Sequence, residues 1–109
     1  MIGTDDLIRI RITMRGRVQG VGCRPFIYRL AKDLELTGTV RNDVEGVRIE
    51  LQGSQQALDG FVTRLCDVER EDYPALMEIQ ECRQQMLEPV EGERGFRILE
   101  SRADGTPVS

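Results

Sequence analysis

The residues best suited to chemistry lie in one short, glycine-rich stretch near the amino terminus. Residues 16–25 read GRVQGVGCRP, with arginines at positions 17 and 24. Glycine allows backbone conformations in which successive N–H groups point at one anion, and a guanidinium binds an oxyanion through two parallel hydrogen bonds. A strand-like run precedes the stretch and a helix-like run follows it. The stretch therefore predicts a loop that binds a small phosphate.

The spacing does not fit two common nucleotide-binding loops. A Walker A loop needs Lys and Ser or Thr directly after the glycines, and these are absent. A dinucleotide fingerprint needs a different glycine spacing and a parallel βαβ unit. Cys23 directly precedes Arg24, whereas cysteine-based phosphatases have several residues between thiolate and arginine. We therefore expect Cys23 to be a small apolar side chain facing the core.

Positive charge concentrates around this stretch. Residues 7–32 hold seven basic and no acidic residues, while the whole chain of 109 residues has a net charge of −4. An acidic chain argues against a protein that binds nucleic acids or anionic membranes. We expect Arg9, Arg11 and Arg29 to be solvated on strand and helix faces, and Arg17 and Arg24 to lie at the anion site.

The composition also limits the chemistry. The chain has no histidine, which excludes Ser-His-Asp and Cys-His nucleophile systems. There are three cysteines, Cys23, Cys66 and Cys82, and this odd number predicts free thiols in a reducing cytoplasm. They lack metal-ligand spacing, so we expect no metal site. We also expect no cofactor. No apolar run is long enough to span a membrane.

Hydrophobic periodicity predicts one domain over residues 1–99, followed by a disordered tail or truncated interdomain linker over 100–109. Strands are predicted at 7–14, 39–42, 47–51, 76–85 and 96–99, with helices from Pro25 to before Gly38 and from the N-cap Ser54 to Cys66. This order predicts an α+β, ferredoxin-like βαββαβ sandwich: a mostly antiparallel sheet with two helices on one face. That fold hosts many functions.

Two segments resemble the signatures of the acylphosphatase family. Gly16 to Arg24 is similar to the first signature, and Gly38-Thr39-Val40-Arg41-Asn42, followed by Gly46, is similar to the second. The resemblance covers roughly residues 7–99. It implies the same βαββαβ fold and hydrolysis of the carboxyl-phosphate bond of acyl phosphates, without a metal or a covalent intermediate.

The resemblance also implies roles for individual residues. Arg24 would bind the phosphate, and Asn42 would hold the attacking water. The backbone amides of residues 17–22 would complete the phosphate site: Arg17, Val18, Gln19, Gly20, Val21 and Gly22. Small acyl phosphates or inorganic phosphate are the implied ligands. Cys23 departs from the family, which usually has Phe or Tyr at this position.

Further details resemble the amino-terminal domain of the hydrogenase-maturation carbamoyltransferases. These are Arg24-Pro25-Phe26, Arg41-Asn42-Asp43, and Val47 directly after Gly46. The resemblance implies carbamoyl phosphate as substrate, and downstream domains of a larger protein as partners. The alternatives are a free-standing acylphosphatase or a non-catalytic phosphate-binding regulatory domain. An RNA-binding domain is disfavoured because the chain has only three Phe, two Tyr and no Trp for base stacking.

Overall fold

Five strands form one sheet, and two helices pack on one of its faces. A computed structural model describes residues 7–100. The elements are β1 Ile8–Arg17, α1 Cys23–Asp33, β2 Thr37–Asp43, β3 Gly46–Gly53, α2 Gln55–Leu65, β4 Glu78–Leu87 and β5 Phe96–Ile98. The strand order is β4-β1-β3-β2-β5, and every pairing is antiparallel except that of β2 with β5. The predicted ferredoxin-like α+β fold is confirmed, with a mixed sheet.

The core lies between the helices and the sheet. Strand residues alternate between faces, while helix residues three and four apart share a face, so each element has one apolar side. Fully or nearly fully buried residues from β1, β3 and the two helices include Ile12, Met14, Ile49, Leu51, Phe26, Leu30, Phe61 and Leu65. Burying one such side chain stabilises the fold by roughly 1.5–3 kcal/mol. This apolar layer holds the ends of the strands in fixed positions.

Several predicted boundaries differ from the structure. Helix α1 ends at Asp33 and not just before Gly38, and β2 begins at Thr37 and not at Thr39. Strand β1 continues to Arg17 because Gly16 and Arg17 pair with β4, after a shift in register at Gly16. Helix α1 begins at Cys23, so Pro25 is its third residue and not its first. Proline is still tolerated there, because N–H groups of the first helical turn have no partner within the helix. Strand β4 begins two residues later than predicted, after a turn in which the Met77 N–H donates to the Pro74 carbonyl oxygen.

Arg9 is buried, and the prediction that it is solvated was wrong. Its side chain is 6% exposed, on the sheet face opposite the helices. The guanidinium donates to Glu93 at 2.8 Å, to Glu50 at 3.0 Å and to Gln52 at 3.2 Å. Glu93 belongs to the segment that joins β4 and β5, which lie at opposite edges of the sheet. This segment therefore covers one end of the open sheet face, where Arg9 lies.

Neither helix within residues 7–100 is long and apolar enough to cross a membrane. In the same range, no group of three His, Cys, Asp or Glu side chains is placed to hold a metal ion. The predicted tail lies outside the described residues, apart from Glu100.

Candidate active site

The topology brings the two sequence motifs to one end of the sheet. Strands β1 and β2 both pair antiparallel with β3, so they run in the same direction and end at the same side. The loop of residues 18–22 follows β1, and Asn42 is the penultimate residue of β2. Because the loop leads directly into α1, the amino terminus of this helix lies at the same end.

The loop glycines serve two different structural needs. Gly16, Gly20 and Gly22 all have positive φ, at 131°, 73° and 86°. A Cβ at Gly16 would collide with the carbonyl oxygen of Glu78 in β4, so this glycine permits close strand pairing. Gly22 has open space around its Cα, and its left-handed conformation turns the chain into α1. The glycines therefore shape both the base of the loop and its exit.

The amino terminus of α1 is suited to an anion. Gly22 is the N-cap, and no side chain caps the helix. The first turn contains no acidic residue and does contain Arg24. The uncapped N–H groups and the positive end of the helix dipole favour negative charge here. Arg24 is half-buried and makes contacts within the protein.

Cys23 faces the core beside this turn, as predicted. The thiol is 2% exposed, and burial raises its pKa to about 12, although the nearby Arg24 partly opposes the shift. The sulfur is therefore a protonated thiol at neutral pH. A buried thiol is a poor nucleophile, so the geometry fits a packing role for Cys23.

The side chain of Gln19 connects the loop to the β2–β3 turn. Its Nε2 donates to the carbonyl oxygens of Asp43 at 2.7 Å and Gly46 at 2.8 Å. Asp43 is the residue after Asn42, and Gly46 begins β3. The two hydrogen bonds therefore fix the loop against the turn that carries Asn42 at its edge.

Asn42 carries an unused acceptor. Its Oδ1 is buried and has no hydrogen-bond partner among residues 7–100. A buried amide oxygen without a partner is costly, and such atoms in proteins are usually satisfied by water or a ligand. Beside it, Asp43 stabilises the turn by accepting from the Val44 N–H at 2.7 Å and pairing with Arg48 at 3.2 Å.

A cavity of about 400 Å³ opens between the loop and the turn. Its lining combines the end of β1 and the loop with the β2–β3 turn: Gly16, Arg17, Val18 and Gln19 on one side, and Val44, Glu45 and Gly46 on the other. Arg24, Asn42 and residues 20–22 lie outside this lining. The structure therefore brings the two motifs to a common edge, with Arg17 and Gln19 at the cavity itself.

Comparison with known proteins identifies the domain. The family model for acylphosphatase matches residues 10–98, which is most of the chain. The chain belongs to the acylphosphatase family. The predicted family and its βαββαβ fold are thereby confirmed.

Both carbamoyltransferases and acylphosphatases resemble this domain in sequence. The carbamoyltransferase HypF2 of Cupriavidus necator is 50% identical over 101 residues, which are 93% of this chain and 12% of the relative. The acylphosphatase of Moorella thermoacetica is 38% identical over 88% of this chain and 98% of its own. The domain thus spans about an eighth of the carbamoyltransferase and nearly all of the acylphosphatase.

Solved structures give the same two kinds of relative. A full-length HypF, in a phosphate- and nucleotide-bound form, superposes with a TM-score of 0.80 and 32% identity, over 92% of this chain and 13% of its own. The acylphosphatase from Bacillus subtilis superposes with a TM-score of 0.73 and 30% identity, over 84% of this chain and 98% of its own. The prediction that the domain resembles the amino-terminal domain of these carbamoyltransferases is confirmed.

Sequence reasoning missed one feature of this candidate site. It placed Gln19 in the loop for its backbone amide only, whereas the structure also gives its side chain a link to the β2–β3 turn. Gln19 follows Val18 and precedes Gly20, so a long amide side chain lies inside the glycine-rich loop. Such a side chain is well placed to anchor a loop, and this is the only signal that the sequence carried.

Proposed function

We propose that this domain hydrolyses the carboxyl-phosphate bond of acyl phosphates. The observation that carries the proposal is the buried, unpartnered Oδ1 of Asn42, held at the same sheet end as the glycine loop and Arg24. An anion site and a free buried acceptor at the same end of the sheet are the groups needed to bind a phosphoryl group and a water molecule together.

In the proposed reaction the phosphoryl group lies on the backbone amides of residues 17–22 and on the Arg24 guanidinium. Asn42 accepts a hydrogen bond from the attacking water through Oδ1. The water oxygen forms a bond to phosphorus while the bond from phosphorus to the carboxylate oxygen breaks. The proton from the water passes to a phosphoryl oxygen of the substrate, and the carboxylate leaves with the electron pair.

In this scheme the protein has two tasks, to position the reactants and to stabilise negative charge. A carboxylate is a good leaving group, so catalysis consists mainly of placing the water and stabilising charge on the phosphoryl oxygens. Arg24 and the uncapped amino terminus of α1 supply that stabilisation. Asn42 is a poor base, so the substrate itself takes the proton.

The proposed substrate is carbamoyl phosphate. Support comes from the 50% identity to the carbamoyltransferase HypF2 over 93% of this chain. On this proposal, the phosphate release is the first step of carbamoyl transfer in the maturation of [NiFe]-hydrogenases. This step releases carbamate, which downstream domains of a larger protein would have to activate again, with ATP, before the carbamoyl group is transferred.

A direct assay compares carbamoyl phosphate with benzoyl phosphate at matched concentrations, following phosphate release from each. We expect turnover of both, competitive inhibition by inorganic phosphate, and a higher kcat/KM for carbamoyl phosphate. A clear preference for benzoyl phosphate would favour a general acylphosphatase. Phosphate binding without turnover of either substrate would contradict the proposal and favour a regulatory phosphate-binding domain.

A further inference from the structure

Two arginines lie side by side on the open face of the sheet, away from the candidate active site. Arg41 in β2 and Arg48 in β3 are directly opposite each other in the strand register. Together with Thr39, Glu50 and Leu99 they line a cavity of about 220 Å³. We propose that this pocket, which we call the Arg41–Arg48 pocket, is a second anion site that binds a small oxyanion of the phosphate or carboxylate class.

The pocket is separate from the proposed active site. Side chains alternate across a strand, so Arg41 and its neighbour Asn42 project to opposite faces of the sheet. Val40, two residues before Asn42, is buried on the helix side, which assigns Asn42 to that side and Arg41 to the open face. An anion at each site would therefore lie on opposite sides of the same strand.

The acidic groups near the pocket are already engaged. Glu50 accepts from Arg9 at 3.0 Å through one oxygen and from Arg11 at 3.3 Å through the other. Asp43 pairs with Arg48 at 3.2 Å. Arg41 forms no hydrogen bond or ion pair with any residue in the range 7–100. Within this region, the charge of Arg41 is therefore left without a counter-ion.

Within the described part of the chain, Arg48 has a hydrogen-bond donor without an acceptor. Its Nε is buried and finds no acceptor among the described residues. A buried donor without an acceptor lowers stability, and like charges opposite each other in a sheet also destabilise it. Arg97, which pairs with Thr39 from β5, adds a further positive charge at this edge of the sheet. An oxyanion would relieve all of these costs together.

The lining fits this class of ligand. The Arg41 guanidinium offers planar, paired donors, Arg48 adds its Nε–H, unpartnered within residues 7–100, and the Thr39 hydroxyl is a further donor. Leu99 forms an apolar wall, which reduces access of water to the bound group and strengthens its ionic contacts. The volume is several times the roughly 30 Å³ that a water molecule occupies in the liquid, so a phosphate or carboxylate group fits.

The test is a titration of the protein with inorganic phosphate at constant ionic strength, followed by NMR of the arginine Nε–H groups. Resonances are assigned with single Arg→Lys variants. We expect the Arg48 Nε–H signal to shift in a saturable manner, both in the wild type and in Arg24→Ala, in which the proposed active site is impaired. Arg41→Ala should weaken this transition about tenfold or more, because it removes a charge-assisted contact.

The matched control is Arg83→Ala, which removes an exposed arginine from the same sheet face in β4. This variant should leave the transition unchanged. A parallel titration with acetate separates the two ligand classes: saturation by acetate alone would assign the pocket to carboxylates. The proposal fails if the Arg48 signal responds only linearly to both anions, or if Arg41→Ala and Arg83→Ala behave alike. Loss of the shift in Arg24→Ala would also overturn it, because the signal would then report the active site.

Discussion

Nε2 of Gln19 lies 2.8 Å from the carbonyl oxygen of Gly46, and this hydrogen bond joins the loop that follows β1 to the start of β3. A second bond, to the carbonyl oxygen of Asp43, reaches the end of β2. The two acceptors are backbone carbonyl oxygens at either end of the β2–β3 turn, and this turn directly follows Asn42. The side chain of Gln19 therefore holds the proposed phosphoryl site at a fixed position relative to Asn42, the residue proposed to hold the water.

Gln19→Ala removes both bonds while leaving the backbone amide in place. We expect kcat for acyl phosphate hydrolysis to fall by about tenfold or more, since small errors in position are costly in reactions that depend on alignment. The KM should change much less. Steady-state kinetics measures both values, and Gln56→Ala, on the exposed face of α2, is the matched control. Wild-type kcat in Gln19→Ala would show that the link does not position the site.

The buried Arg9 offers a test of stability. Arg9→Met keeps most of the side-chain volume but leaves Glu50 and Glu93 without their shared cation. We expect the free energy of unfolding to fall by about 2 kcal/mol, less than for a fully buried pair because both carboxylates are partly solvated. Urea denaturation gives this value. Arg83→Met, at an exposed position, should cost less than about 0.5 kcal/mol; equal losses in the two variants would contradict the structural role of Arg9.

The same cluster predicts a pH dependence. Burial disfavours the charged form of Glu93, but hydrogen bonds from Arg9 and Thr37 outweigh it and hold the pKa below the ordinary value of 4.5. Because the folded-state pKa is the lower one, the contribution of Glu93 is complete above the unfolded-state pKa and is lost as pH falls through the folded-state pKa.

Glu93→Gln should therefore be less stable than the wild type by a constant amount near neutral pH. This difference should shrink as the pH falls below about 4.5. Urea unfolding of both proteins between about pH 7 and pH 3 measures the change. A difference that stays constant over this range, or that grows on acidification, would show that Glu93 does not titrate in this way.

The cysteines should differ in reactivity. Cys66 and Cys82 are exposed, whereas Cys23 is buried with its pKa raised to about 12. Iodoacetamide at about pH 8 should therefore modify Cys66 and Cys82 in the native protein, and Cys23 only after denaturation. Mass spectrometry of tryptic peptides identifies the modified sites. Rapid native labelling of Cys23 would indicate that the start of α1 opens in solution.

The sequence predicted those features that depend on local periodicity. The alternation of Ile10, Ile12 and Met14 identified β1, and Ser54 was correctly predicted as the N-cap of α2, where its hydroxyl accepts from the Ala57 N–H. Strands repeat every two residues and helices about every four, so both patterns are visible in residues close together in the sequence.

Arg9 and Gln19 were misjudged because their partners are distant in sequence. The same alternation placed Arg9 on a solvated face, but Glu93 arrives there only because the chain passes from one sheet edge to the other between β4 and β5. Likewise, Gln19 meets Asp43 and Gly46 only once β1 and β2 lie in the same sheet. Contacts between residues far apart in the sequence cannot be predicted from local sequence patterns.

The most direct test of the proposed mechanism is the hydrolysis of carbamoyl phosphate by the wild type, Arg24→Ala and Asn42→Ala, with phosphate affinity measured by product inhibition in the active proteins and by calorimetry in the others. We predict that Arg24→Ala loses both phosphate affinity and turnover. Asn42→Ala should keep its phosphate affinity within about threefold and lose at least about a hundredfold in kcat. Near-wild-type kcat in Asn42→Ala, or unchanged phosphate affinity in Arg24→Ala, would contradict this assignment of roles.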